Sequence, residues 1–236
     1  MGKAIAIFNQ KGGVGKTTTN INLAACLAIK GKKILIIDID PQGNTTSGVG
    51  ISKRDLDVTT HEILVEDDQH PEDAVIELIQ LTGRDKRLKK AIDQLKPQYD
   101  YIFVDCPPSL GLLTINSLTA VDSVLIPIQC EFYALEGVSQ LMSTIDIVKK
   151  NTNPDLEIQG VILSMFDGRT NLSIQVVEEV KKYFREKVYT TVIPRNVRLA
   201  EAPSHGMPVI QYDPKSAGAI AYMEFADEFL ANEEEL

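Results

Sequence analysis

Three cysteines in 236 residues, Cys26, Cys106 and Cys130, are too few, too widely spaced and odd in number for a disulfide framework. No CxxC pair is present, so a zinc site is not indicated either, and a reducing cytoplasm suits such a chain. Long apolar runs are also missing. Apolar stretches such as those at 4–8, 34–37 and 124–128 fall far short of the roughly 18 residues that cross a bilayer. Met1-Gly2-Lys3 runs straight into a strand-like segment without an apolar run and cleavage site, so no export signal is expected. Positive charge is in deficit too: the net charge of −9 opposes a polyanionic partner at the level of the whole chain. What is present, 44 % hydrophobic and 24 % charged residues, is the composition of a folded globular protein rather than a disordered or fibrous one.

Short β-branched runs recur at 4–9, 33–38, 101–105, 123–128, 158–164 and 189–193. They are continuously apolar, not alternating, which predicts strands buried on both faces, hence parallel strands covered by helices. Helical patterns lie between them at 17–29, 135–150, 173–187 and 217–230, with weaker ones at 71–81 and 84–95. The alternation predicts one α/β domain over residues 1–236, with a doubly wound, mostly parallel sheet. The stretch 224–236 carries six acids and no base, so its end, 231–236, reads as a frayed, solvated tail.

The first strand leads into Gln10-Lys11-Gly12-Gly13-Val14-Gly15-Lys16-Thr17-Thr18 and then a helix, the context that a phosphate-binding loop requires. Glycines without Cβ let backbone amides turn inward around a phosphate, and the helix beginning near Lys16 adds its free amides and positive dipole end. Lys16 would neutralise the β and γ phosphates of ATP, and the Thr17 hydroxyl would ligate Mg²⁺. The second strand ends in Asp38-Ile39-Asp40-Pro41, and the third delivers Asp105 followed by Cys106-Pro107-Pro108. Acids at the carboxyl edge of such a sheet sit where open α/β folds bind ligands, and Asp105 suits a metal. The two prolines fix a loop beside it, a candidate switch. Cys106 reads as a small buried filler, since no histidine or basic residue adjoins it.

Gln10 stands where the usual loop has its first glycine, and Lys11 follows. This KGGVGKT form resembles the deviant Walker A ATPases, which include ParA/Soj partition proteins, MinD and nitrogenase iron protein. The segments 127–137, 167–171 and 193–206 are similar to the chromosomal ParA/Soj branch in particular. The resemblance implies that Lys11 reaches a nucleotide held by a partner chain, that Asp40 orients the attacking water, and that Asp38 lies near the metal shell. It further implies an adenine site around Pro194 and Asn196, DNA contacts from Arg169 and Arg198, and an ATP-sandwich homodimer. Such a dimer would bind double-stranded DNA nonspecifically and release it on hydrolysis that is slow until a ParB-type partner stimulates it, in a cytoplasmic, nucleoid-associated setting. Charge adds weaker support: from 169 to 198 seven basic residues face three acids, net +4, leaving −13 elsewhere. The basic run at 84–90 would add to that patch.

Relatives of this branch carry a longer stretch between the segments matching 61–75 and 78–90, including another strand, so region 52–97 is short. A gap or weakened edge is therefore expected beside the second carboxylate-bearing strand. Other classes remain open: a MinD-like membrane-positioning ATPase, which the acidic C-terminal segment disfavours; an iron–sulfur enzyme resembling nitrogenase iron protein; or a nucleotide-binding module with negligible turnover.

Overall fold

The computed structural model describes residues 2–55, 86–134 and 136–234. Six strands form one sheet: β1 (Lys3–Ile7), β2 (Ile34–Asp38), β3 (Tyr101–Asp105), β4 (Ser123–Gln129), β5 (Glu157–Phe166) and β6 (Val188–Pro194). Their order is β2-β3-β1-β4-β5-β6 and every pairing is parallel. From β1 the chain moves outward to β2, returns through β3, and then crosses to the β4 side. The order therefore reverses beside β1, the crevice where this class of sheet holds ligands. All six expected strands are present to within a few residues.

Alternate side chains of the strands feed two cores. Ala4, Ala6, Phe8, Ile102, Val104, Val124 and Ile126 pack on one face, under α3 (Arg87–Leu95), α4 (Leu112–Ala120), α5 (Glu136–Asn151) and α6 (Asn171–Phe184). Ile5, Ile7, Phe103, Leu125 and Ile162 pack on the other, under α1 (Lys16–Ile29) and α9 (Ala217–Glu234). Short helices α2 (Asn44–Gly48), α7 (Val197–Glu201) and α8 (Val209–Tyr212) lie in loops. The expected helix at 71–81 falls outside the described residues.

Three findings depart from expectation. β3 is paired along its full length on both sides, to β1 and β2, so no gap opens beside it; the edge on that side among the described residues is β2, whose five residues are only partly buried. Helix α4 was not legible because its polar residues face inward. Thr114, Asn116, Ser117 and Thr119 are fully buried, and the first three return a hydrogen bond to the backbone, at Ser109, Leu112 and Leu113, while Thr119 bonds Thr152. The acidic end is not frayed through residue 234: α9 continues to Glu234, and Glu233 accepts from Lys3 Nζ and Gln159 Nε2, both at 2.7 Å. Glu228 of the same helix accepts the backbone N–H groups of Thr190 (2.6 Å) and Thr191 (2.8 Å), satisfying donors on edge strand β6.

Candidate nucleotide and metal site

The loop between β1 and α1 is held from behind. Asn9, nearly buried, accepts from Lys11 N at 3.0 Å and donates to Pro127 O at 2.8 Å, and Ser164 Oγ of β5 donates to Val14 O at 2.8 Å. Gly13 and Gly15 adopt φ of 75° and 92°, the left-handed region that disfavours a side chain. A Cβ on Gly12 or Gly13 would meet nothing within 4 Å, so the space beside these two glycines is open. Val14 is buried beneath the loop, and Thr18 lies in the first turn of α1.

Lys16 lies inside this arch, 7 % exposed, its Nζ donating to Lys11 O at 3.0 Å. Burial lowers its pKa, against the opposing pull of Asp105, Cys106 and Asp40. A lysine that has already lost most of its hydration loses little more on meeting a phosphate.

Asp105 closes β3 at 1 % exposure. Its Oδ2 accepts from Thr17 Oγ1 at 2.7 Å and from Thr45 Oγ1 at 2.6 Å, whereas Oδ1 is buried with no hydrogen-bond partner. Burial pushes its pKa up to about 6 despite the two hydroxyls. A buried carboxylate with an unsatisfied oxygen, beside the hydroxyl that begins the helix, fits a divalent cation. No group of three or more His, Cys, Asp or Glu residues surrounds a common point among the described residues. Such a cation would therefore be held largely by phosphate and water, the habit of Mg²⁺.

Asp38 ends β2 directly opposite Asp105 in register, and its Oδ2 accepts from Thr46 N (2.9 Å) and Thr46 Oγ1 (2.7 Å), tying down the first turn of α2. Asp40 lies in the following turn, partly exposed, with Oδ1 accepting from Gln42 N at 3.0 Å. Lys11 is ion-paired to Glu131, just past β4 in the same chain. Pro194 ends β6 beside Phe166, and Asn196 caps α7 by accepting from Arg198 N at 3.0 Å. Cys106 is buried and its thiol is pushed up to about 12 by desolvation, the behaviour of a packing residue.

Arg169 and Arg198 both follow carboxyl ends of neighbouring strands, β5 and β6, yet each guanidinium is already engaged. Arg169 grips Asp167 through Nε (2.8 Å) and NH2 (2.7 Å), and Arg198 binds Glu201 (2.7 Å) and Asp213 (3.2 Å). The continuous basic patch expected over 169–198 is split by the fold. Helix α6 runs back from the carboxyl edge to the amino edge of the sheet, carrying Lys181, Lys182, Arg185 and Lys187 away and leaving Arg169, Arg195 and Arg198. Of the 84–90 run, residues 84 and 85 lie outside the described residues.

The motifs gave no hint of Thr45, Glu131, Asn9 or Ser164. Their signal was positional only: Asn9, Glu131 and Ser164 lie at or just past strand ends on the ligand edge, and Thr45 begins the helix behind the Asp38–Asp40 turn.

Residues 5–209 match the model of the CobQ/CobB/MinD/ParA nucleotide binding domain. The chain is 59 % identical to the sporulation initiation inhibitor protein Soj of Bacillus subtilis, covering 98 % of this chain and 100 % of that one. It is 50 % identical to the chromosome partitioning protein ParA of Myxococcus xanthus, covering 98 % and 88 %. The Soj alignment spans 252 positions, more than the chain's 236 residues, so that relative carries residues without a counterpart here. Among solved structures, cobyrinic acid a,c-diamide synthase from Mycobacterium smegmatis with bound ADP and magnesium superposes with a TM-score of 0.84 at 36 % identity, covering 99 % and 96 %. MinD from Pyrococcus horikoshii complexed with Mg-ADP gives 0.79 at 26 %, covering 97 % and 96 %. Together with the loop and its carboxylates, these likenesses show that the chain belongs to the CobQ/CobB/MinD/ParA nucleotide-binding family and, within it, to the Soj/ParA chromosome-partitioning proteins.

Proposed function

We propose that the protein is an ATP-driven DNA-segregation switch: ATP closes two copies face to face, the dimer holds double-stranded DNA without sequence preference, and hydrolysis stimulated by a ParB-type partner releases it. The observation that carries this reading is the cluster of Lys16, Thr17 and Asp105, with the orphaned Asp105 oxygen, under an open glycine arch. The arch amides and Lys16 bind the phosphates, and Thr17 and Asp105 hold Mg²⁺, with Asp38 behind them. When bound, the cation neutralises charge on the phosphate oxygens. Asp40, at the rim of the same edge, orients the attacking water; phosphoryl transfer asks for such positioning more than for covalent help. Lys11 must leave Glu131 before it can reach a nucleotide across a dimer, which makes dimer closure the step that commits it. Pro194 and Asn196 flank the adenine, and Arg169 and Arg198 meet DNA phosphates.

The alternatives gain nothing from the structure. A cluster bridging two subunits needs thiols at the surface, whereas Cys26, Cys106 and Cys130 are all buried. Helix α9 carries no basic residue and its Glu233 is docked on Lys3, so this helix offers no cationic face to anionic lipid. The test compares the parent with Asp40→Ala in ATP. The variant should bind nucleotide normally, hydrolyse it about a hundredfold more slowly and remain dimeric on DNA. Turnover equal to the parent, or DNA binding independent of nucleotide, overturns the reading.

A further inference from the structure

We infer that Thr45 is a positioning residue for the metal-binding carboxylate, an assignment that rests on the ATPase reading above. Thr45 is 2 % exposed, and its hydroxyl donates to Asp105 Oδ2 at 2.6 Å. The same oxygen receives the Thr17 hydroxyl at 2.7 Å, and the other oxygen has no partner at all. A carboxylate this deeply buried is oriented by its donors, because no water competes for it. Thr17 is the donor with a second task, since it also serves the cation. Thr45 has no such competing role, and it is the hydroxyl that keeps Oδ2 fixed.

The backing of Thr45 supports this role. Adjacent residues of α2 grip the two register-paired acids: Thr45 binds Asp105 of β3, and Thr46 binds Asp38 of β2 through both N (2.9 Å) and Oγ1 (2.7 Å). The far end of the helix is wedged. A Cβ on Gly48 would lie 2.6 Å from the end of the Ile21 side chain, and just past the helix one on Gly50 would lie 2.9 Å from Gly206 O, where backbone closely approaches backbone. A hydroxyl on a helix pinned at both ends is preorganised to aim a carboxylate, and outer partners of this kind tune metal sites.

The test measures binding of a fluorescent ATP analogue at increasing Mg²⁺, and separately without divalent cation, for the parent, Thr45→Val and Thr45→Ser, with circular dichroism to verify folding. The valine variant should need about tenfold more Mg²⁺ for half-maximal effect, while its metal-free nucleotide affinity stays within about twofold of the parent and serine restores the parent's Mg²⁺ response. If valine disturbs α2, Thr45→Ala takes its place in the same comparison. A Mg²⁺ response equal to the parent's, equal losses in the serine variant, or an equal loss of metal-free affinity would each overturn the assignment. A parent that binds no nucleotide even with Mg²⁺ defeats the ATPase reading itself, and this inference with it.

Discussion

Asp105 and Asp167 occupy nearly equivalent places, one ending β3 and the other following the last residue of β5, yet their environments drive them in opposite directions. Asp105 is sealed in, shares one oxygen between two hydroxyls and is pushed up to about 6 by desolvation. Asp167 is partly exposed, clasps Arg169 with both oxygens and is pulled down to about 2 by that hydrogen-bonded cation. The first waits for a charge it does not have, whereas the second has already found one. The sheet edge thus divides into a buried half that stores unsatisfied electrostatics for a cation and an exposed half whose ion pairs exchange readily with solvent or phosphate.

Removing the stored charge should produce the largest effect. A rise from 3.8 to about 6 disfavours ionised Asp105 in the metal-free fold by on the order of 3 kcal/mol. Because the folded pKa lies above the unfolded one, its favourable contribution is complete below about pH 4 and is lost as pH rises through about 6. Asp105→Asn should therefore match the parent at pH 4 and exceed it by about 1–3 kcal/mol at pH 7 in melts without Mg²⁺, while its Mg²⁺-dependent nucleotide binding weakens more than tenfold. Equal melts at both pH values would show that Asp105 is not strained.

The exposed half should answer differently. The double variant Arg169→Ala/Arg198→Ala should leave the melting temperature unchanged while DNA affinity falls at least about tenfold and the slope of log K against log salt drops by about two per protomer. Filter binding across a salt series reads this directly, and an unchanged slope would remove these arginines from the DNA surface.

Much of this contrast was readable beforehand, for definite physical reasons. Uninterrupted apolar runs mark the strands of such a sheet, so all six are legible, the partly buried edge strands β2 and β6 among them, and KGGVGKT carries its chemistry in contiguous residues. Thr45 and Glu131 were not readable, because their partners Asp105 and Lys11 become neighbours only when β2 pairs with β3 and β4 with β1. A linear count of charge overstates the basic stretch, because α6 reverses direction and carries four of its seven cations to the far edge. Helix α4 escaped because burying hydroxyls and an amide against their own backbone erases the apolar stripe that periodicity detects.

Between the two extremes stands the pair of Lys11 and Glu131, each about one-third exposed. If this contact holds Lys11 back in the monomer, Glu131→Gln should lower the protein concentration for ATP-dependent dimerisation about threefold, with stability altered by less than about 1 kcal/mol. Analytical ultracentrifugation with the nonhydrolysable analogue measures it; a weaker dimer would instead make Glu131 part of the closed interface.

The smallest effect should come from neutralising Asp167. Asp167→Asn keeps the side-chain shape but removes the charge that occupies Arg169, whose side chain is 88 % exposed. A freed guanidinium meets phosphate without first breaking an ion pair, so DNA affinity at low salt should rise about twofold, and the advantage should fade as salt screens both partners. The depressed pKa sets the acid range of the same test. Asp167 in the parent stays ionised until pH approaches about 2, so its pair with Arg169 is intact throughout pH 5–8 and the difference between parent and variant should be flat there. A difference that changed with pH in that window would mean that another titrating group, not Asp167, controls access to Arg169.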